Sequence, residues 1–325
     1  MTASVRRVSI VVPCYRSQDT LRGVVADITA VLSAPGSGVV DGYEVVLVVD
    51  GSPDSTAAVA RAIAADEPSH VRVVELRRNY GQHNALIAGI RRARHETVVT
   101  MDDDGQHRAD QIPALLAALD DAGADLAYGV AVEEEHGVAR SAASRIVKRT
   151  LAMAGVPRAD DVSAFRAFRT AMRDAFAGVS DPYISLDVLL SWATTSITRV
   201  PVQMDQRAVG RSSYTLRSLV RHAMNMVTGY SNLPLRLVAW LGGFCAALGV
   251  VLGAIVVWKF AVGETTVAGF TTIAAMVAVF SGAQMLSLGI IGEYLGRLHS
   301  RSMGKPTYSV RHDSRAHDEL DDLTT

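Results

Sequence analysis

The sequence predicts an α/β fold: a mostly parallel sheet covered by helices on both faces, followed by two membrane-spanning helices. Three observations predict it. Short β-branched runs alternate with stretches of helical spacing from residue 8 to residue 130, the pattern of a parallel sheet with crossover helices. The second and fourth of these runs stop abruptly at acidic residues. Two long runs without a charge follow at 237–258 and 267–292.

The elements follow in order. Residues 8–12 (Val-Ser-Ile-Val-Val), closed by Pro13, read as a buried strand. Helical spacing covers 21–32, and 34–38 (Ala-Pro-Gly-Ser-Gly) is a loop. The second strand, 45–49, ends at Asp50-Gly51-Ser52-Pro53, a turn signal. A helix at 55–65, a strand at 71–76 and a helix at 82–93 come next. The fourth strand, 97–101, runs into Asp102-Asp103-Asp104, and a helix at 112–122 and a strand at 126–130 complete the alternation. Residues 139–154 are a basic helical stretch, and 155–215 carry no clear period. Residues 216–230 have helical spacing with Arg217, Arg221 and His222, suited to lying along a membrane surface.

The two apolar runs hold 22 and 26 residues, and about 20 suffice to cross a bilayer. As buried core helices they would need a much larger protein around them. Arg236 precedes the pair, Arg297, Arg301, Lys305 and Arg311 follow it, and the intervening loop carries only Lys259. The positive-inside rule then places both termini and the N-terminal domain in the cytosol, at the cell membrane. The expected organisation is a cytosolic domain over 1–215, a juxtamembrane amphipathic region over 216–234, two transmembrane helices within 235–297, and a cytosolic tail over 298–325 that is disordered from His312. No signal-peptide run precedes the first strand. A formal net charge of -1 argues against nucleic acid as a partner. Cys14 and Cys245 fall in a strand and a membrane helix, which disfavours a disulfide framework or a thiolate metal site. No Gly-x-Gly-x-x-Gly follows the first strand, which disfavours a dinucleotide-binding domain or a P-loop.

Open α/β sheets bind ligands beyond the carboxyl ends of their strands. Asp50 and the Asp102-Asp103-Asp104 triplet, with Gln106, lie there. Carboxylates one residue apart at a strand end suit Mg²⁺ or Mn²⁺, hard cations that prefer oxygen ligands. Such an ion would neutralise a diphosphate leaving group. A solvated acidic turn would use the same residues, but the edge shared with Asp50 favours the metal. Asp50 suits either a hydrogen bond from a nucleobase or turn chemistry with Gly51. His83 opens a helix and has no other His at ligand spacing, so a supporting role is expected; His107 adjoins the acidic cluster.

Four segments carry a resemblance: 8–15 (Val-Ser-Ile-Val-Val-Pro-Cys-Tyr), 48–52 (Val-Val-Asp-Gly-Ser), 78–83 (Arg-Asn-Tyr-Gly-Gln-His) and 101–106 (Met-Asp-Asp-Asp-Gly-Gln). In that order they resemble the GT-A family 2 glycosyltransferases, and among these the polyprenyl-phosphate glycosyltransferases. These include dolichyl-phosphate mannose synthases and bacterial undecaprenyl-phosphate glucose and aminoarabinose transferases. Residues 289–297 (Gly-Ile-Ile-Gly-Glu-Tyr-Leu-Gly-Arg) look like the bacterial members.

The resemblance implies roles residue by residue. Pro13, Tyr15 and Asp50 line the nucleoside pocket. Asp102, Asp104 and Gln106 fall at metal-ligand and diphosphate positions, with Asp102 and Asp103 beside the nucleotide-sugar and Asp104 among the catalytic residues. Arg207 and Ser212, with Gly210 and Tyr214, belong to a segment that closes over the diphosphate. Arg140, Ser144 and Arg145 fall where relatives hold the acceptor phosphate, a task that suits the arginine fork. Asp160 and Asp161 precede Phe165-Arg166, where relatives carry a functional acid, and Asp187 is a weaker candidate. Departures are Val49 and Ala164, where relatives have acids, Ser213 in place of a Lys, and Glu133-Glu134-Glu135 where many relatives are basic.

The implied reaction is an inverting displacement from a nucleotide-sugar, expected to be a UDP-sugar, onto undecaprenyl or decaprenyl phosphate. The acceptor is already an anion, since a phosphate monoester has a second pKa of about 6. Positioning and electrostatics should therefore dominate. The product would be a lipid-linked monosaccharide for the cell envelope. Alternatives are a GDP-mannose-dependent polyprenyl-phosphate mannose synthase and a non-catalytic membrane scaffold. A processive polysaccharide synthase is disfavoured because no Gln-x-x-Arg-Trp motif is present. Small residues along both apolar runs permit a homo-oligomer.

Overall fold

The computed structural model describes residues 7–34, 42–132, 148, 151–152, 155–179, 184–205, 230–231, 233–263 and 270–315. It divides into two compact units, Met1–Val220 with Lys305–Thr325, and Arg221–Gly304.

In the first unit the alternating elements are β1 (Val8–Cys14), α1 (Leu21–Leu32), β2 (Tyr43–Val49), α2 (Thr56–Asp66), β3 (Val71–Leu76), α3 (Gln82–Ile90), β4 (Thr97–Thr100), α4 (Ile112–Asp121) and β5 (Leu126–Ala131). All of the strands and helices expected between residues 8 and 131 are there. Beyond them lie β6 (Arg166–Arg169), α5 (Leu186–Ala193), β7 (Ile197–Val202) and β8 (Val310–Asp313), none of which the sequence pattern announces. The strands form one sheet in the order β7-β5-β6-β4-β1-β2-β3-β8. β3, β2, β1 and β4 run parallel, β6 is antiparallel to both β4 and β5, β7 is parallel to β5, and β8 is antiparallel to β3.

Both faces are covered, so the central strands are apolar on both sides rather than alternating. On one face Ile10, Val12, Val45 and Leu47 join α1, α2 and α4; on the other Val11, Val46 and Val48 join Leu86, Ile87 and Ile90 of α3. Gly89 lets α3 sit close to the sheet, since a Cβ there would lie 2.5 Å from Val11 Cγ1.

The tail expected to be disordered from His312 departs from that expectation. Val74 pairs with Asp313 and Glu75 with His312, closing the β3 edge of the sheet. The reason is ionic rather than apolar. Arg72, 1% exposed, donates from Nε and Nη2 to the two Asp313 oxygens at 2.8 and 2.9 Å, and Arg92 Nε donates to Oδ2 at 2.7 Å. Burial would raise the Asp313 pKa, but the two guanidinium groups outweigh it and hold the carboxyl below its usual range. Arg315 adds hydrogen bonds to the carbonyls of Pro68 and Ser69, at 3.0 and 2.8 Å, and an ion pair with the buried Glu44 at 3.3 Å. Residues 316–325, and most of the region expected to form the juxtamembrane helix, lie outside the described residues.

The second unit holds two long helices, α6 (Leu233–Ala261) and α7 (Phe270–Ser302), of 29 and 33 residues. They contact one another, and Tyr294 donates to the Ser231 carbonyl at 2.6 Å. The stretch Leu233–Lys259, with mean hydropathy 2.3, is long and apolar enough to cross a membrane, and Trp240 and Trp258 are exposed on it.

The ion pairs predict contrasting stabilities. Asp313→Ala strands the buried Arg72 charge and should cost about 3–5 kcal/mol. Asp66→Ala, which breaks the exposed Arg22 pair, should cost about 0–1 kcal/mol. Denaturant unfolding of the purified chain compares them, and equal effects would refute the ionic account of β8.

Candidate active site

Parallel register brings three chain exits to one edge. Cys14 lies beside Val49, and Val11 beside Thr100, so the chain leaves β1 at Tyr15, β2 at Asp50 and β4 at Met101 on the same side. Pro13 is buried within β1 opposite Val48. The Tyr15 ring is 42% exposed at the edge, with the Arg16 guanidinium 5.6 Å from its centroid.

Asp50 is 3% exposed. Its Oδ1 accepts the Tyr80 N–H and its Oδ2 the Gly81 N–H, each at 2.7 Å. Burial raises its pKa in spite of these amides and of nearby Arg78. Gly51, at φ 56°, is required here twice over: its backbone is left-handed, and a Cβ would lie 2.2 Å from the Arg78 carbonyl carbon. Asp50 and Gly51 thus bracket the 78–81 loop, and the carboxylate holds that loop's backbone.

That loop opens α3. Gln82 is exposed, and its Nε2 donates to Asp102 Oδ1 at 2.7 Å. The next residue, His83, accepts the Leu186 N–H of α5 on Nδ1 at 3.2 Å.

The three consecutive aspartates have three different environments. Asp102 donates its backbone N–H to His107 Nδ1 at 2.9 Å, which puts the proton of the neutral imidazole on Nε2. His107 is buried and stacked on Phe165, 5.1 Å between centroids; burial lowers its pKa against the pull of Asp102 and Asp104. Asp103 turns toward the β1 exit, where Oδ2 accepts the Tyr15 N–H at 2.9 Å and its carbonyl accepts Thr20 Oγ1 at 2.7 Å. Burial, with Asp102 adding to it, pushes its carboxyl up to about 6 against the Tyr15 amide. Asp104 Oδ1 accepts the Gln106 N–H at 3.0 Å, closing a turn over Gly105 at φ 74°. Asp102, Asp104 and Gln106 therefore share one short loop, whereas Asp103 is spent on holding Tyr15 in place. Among the described residues no three His, Cys, Asp or Glu side chains gather as a metal cage.

The two acids expected from the segment before β6 sit on a 3-10 turn, Ala159–Asp161. Asp161 pairs with Arg158 at 3.7 Å and with Arg199 of β7 at 3.8 Å, and Asp160 is exposed on the same 3-10 turn. No described hydrogen bond or ion pair joins either to the 102–106 loop. Asp187, the weaker candidate, forms a buried ion pair with Arg166 and accepts the Tyr128 hydroxyl at 3.1 Å. Ala164 offers its carbonyl to Thr100 Oγ1 at 2.8 Å. Arg140, Ser144, Arg145, Arg207 and Ser212 lie outside the described residues. Sequence reasoning missed the Gln82–Asp102 bond, although the 78–83 motif contained its signal.

A mixed sheet with parallel strands 3-2-1-4 and an acidic loop after β4 defines a GT-A α/β fold. The fold is shared with a glucosyl-3-phosphoglycerate synthase from Mycobacterium tuberculosis, solved with Mn²⁺, UDP and glucosyl-3-phosphoglycerate (TM-score 0.50, 18% identity, 69% of this chain and 78% of that one). Residues 9–175 match the family described as Glycosyl transferase family 2, and 233–298 match the GtrB C-terminal hairpin. The chain belongs to glycosyl transferase family 2 and is a glycosyltransferase. It is similar to the undecaprenyl-phosphate 4-deoxy-4-formamido-L-arabinose transferase of Enterobacter sp. (strain 638), at 31% identity over 95% of this chain and 94% of the relative. The enzyme of that name from Klebsiella pneumoniae subsp. pneumoniae is 31% identical over 94% of this chain and 93% of its own length.

Asp103 predicts a pH dependence for the metal-free protein. Its folded pKa lies near 6, above an ordinary 3.8. As pH rises between these values the unfolded chain loses its proton first, so the folded state is progressively disfavoured, and the loss is complete above the folded pKa. Asp103→Asn keeps an oxygen for the Tyr15 N–H and removes the titration. The unfolding midpoint of the wild type should fall relative to Asp103→Asn across this window; parallel curves would show an ordinary Asp103.

Proposed function

We propose that this glycosyltransferase moves a sugar from a nucleotide-sugar onto the phosphate of a polyprenyl phosphate, with inversion, at the membrane. The observation that carries the proposal is collinearity: the similarity to undecaprenyl-phosphate sugar transferases runs through both the catalytic fold and the helical hairpin, over 95% of the chain. The donor we favour is a UDP-sugar. We read α6 and α7 as two membrane spans, with both termini cytosolic, because the basic residues Arg236, Arg297, Arg301 and Lys305 flank the pair and only Lys259 lies between.

The donor set at the 102–106 loop is all oxygen, two carboxylates and an amide. That chemistry fits Mg²⁺ or Mn²⁺ bound by one or two carboxylates together with substrate phosphates, rather than a closed protein cage. Asp102, Asp104 and Gln106 would hold it, and once bound it would neutralise charge on the departing diphosphate. The protein's own groups do the rest. Tyr15 presents its exposed ring to the nucleoside beside Pro13, while Asp50 shapes that wall through the 80–81 backbone. Arg207 and Ser212 close on the diphosphate, and Arg140, Ser144 and Arg145 hold the acceptor phosphate. Because that phosphate is largely dianionic at neutral pH, alignment matters more than proton removal. Of the acids before β6, Asp160 is the one left open to orient a sugar hydroxyl or the acceptor, since Asp161 is ion-paired.

Detergent-purified chain, undecaprenyl phosphate, Mn²⁺ or Mg²⁺ and radiolabelled UDP- and GDP-sugars test the proposal. Label should enter the organic phase from one donor, and Asp104→Ala should slow this by about 100-fold or more. Nucleotide binding without transfer from any donor would sink the polyprenyl-phosphate reading.

A further inference from the structure

We infer that Gln82 is a positioning residue: it holds the Asp102 carboxylate in the orientation that receives the divalent cation, and Asp50 holds Gln82. The inference rests on the metal reading above and extends it to a residue outside the proposed ligand set.

Three facts carry it. The Gln82 Nε2 to Asp102 Oδ1 bond is 2.7 Å long, and an amide nitrogen can only donate. It therefore fixes a carboxylate whose terminal torsion is otherwise broad. Gln82 is exposed, so the bond is made at the open site edge rather than in the core. Its backbone, by contrast, is anchored. The preceding residues Tyr80 and Gly81 donate to Asp50 at 2.7 Å each, Gly51 sits tight beneath Arg78, and the next residue, His83, accepts the Leu186 N–H. A chain of bonds thus runs from the end of β2 at Asp50, through residues 80–82, to the end of β4 at Asp102. The two strand ends that flank β1 are linked over the site edge. Groups that orient metal-ligating carboxylates change metal affinity by about 10–100-fold.

The test uses the full-length chain in detergent and Mn²⁺ as the probe, read by loss of the free-ion electron paramagnetic resonance signal in the presence of UDP or, separately, GDP. Gln82→Met, of similar length but with no donor, should raise the apparent Mn²⁺ dissociation constant about tenfold. Turnover should recover at saturating Mn²⁺, and the unfolding midpoint should stay unchanged because the site is exposed. Unchanged Mn²⁺ affinity in Gln82→Met, with normal binding by the wild type, would overturn the inference and leave the metal reading intact. A turnover loss that saturating Mn²⁺ does not recover would also overturn it. A wild type that takes up no Mn²⁺ with either nucleotide would overturn the metal reading together with the inference.

Discussion

The Asp50 carboxylate ends strand β2 with both oxygens accepting backbone amides, those of Tyr80 and Gly81, at 2.7 Å each. Much of the site edge depends on this clamp. A buried carboxylate is costly unless it is hydrogen-bonded, and here the loop after β3 supplies the bonds. In return the loop acquires a fixed conformation, which no apolar packing of Arg78, Asn79 and Gly81 would give it. Gly51 makes the arrangement possible, because any side chain at that position would collide with the Arg78 backbone.

On the other side of β1, the three aspartates show how neighbouring identical residues are assigned different tasks by the backbone. The strand end directs Asp103 back to the Tyr15 amide, while Asp102 meets Gln82 and Asp104 closes its own turn over Gly105. His107, neutral and stacked on Phe165, fixes the backbone of the first. The acidic loop is thereby tied to the segment after β1 through Tyr15 and Thr20, to α3 through Gln82, and to the start of β6 through Phe165. Each carboxylate has its own donor, which offsets the repulsion between neighbouring acids.

The alternation of β1 to β5 with α1 to α4 was legible because burial on both sheet faces demands continuous apolar strands, and α1, α2 and α4 between them carry one apolar stripe each. The place of Asp50 and of the 102–106 loop followed, since both close such strands. β6, with sequence Arg-Ala-Phe-Arg, was not legible: its arginines are accommodated by tertiary partners, Asp187 for Arg166 and Asp120 for Arg169. β8 hid for the same reason, as Val-Arg-His-Asp has no apolar period and owes its place to Arg72 and Arg92. Side-chain partners of the acids were equally hidden. Asp161 and Asp187 carry the composition of catalytic residues but are drawn to Arg199 and Arg166, contacts made only once the sheet is assembled.

The ionic staple that seats β8 joins Arg72 to a partner 241 residues further along the chain. During synthesis the ribosome delivers β1 to β7 and then the whole helical hairpin before that partner exists. Until residues 310–315 emerge, β3 is a naked strand edge with two unneutralised arginines beneath it. Completion of the sheet is thus timed after translation of the apolar helices, and the catalytic domain stays open on one side until the last strand is made.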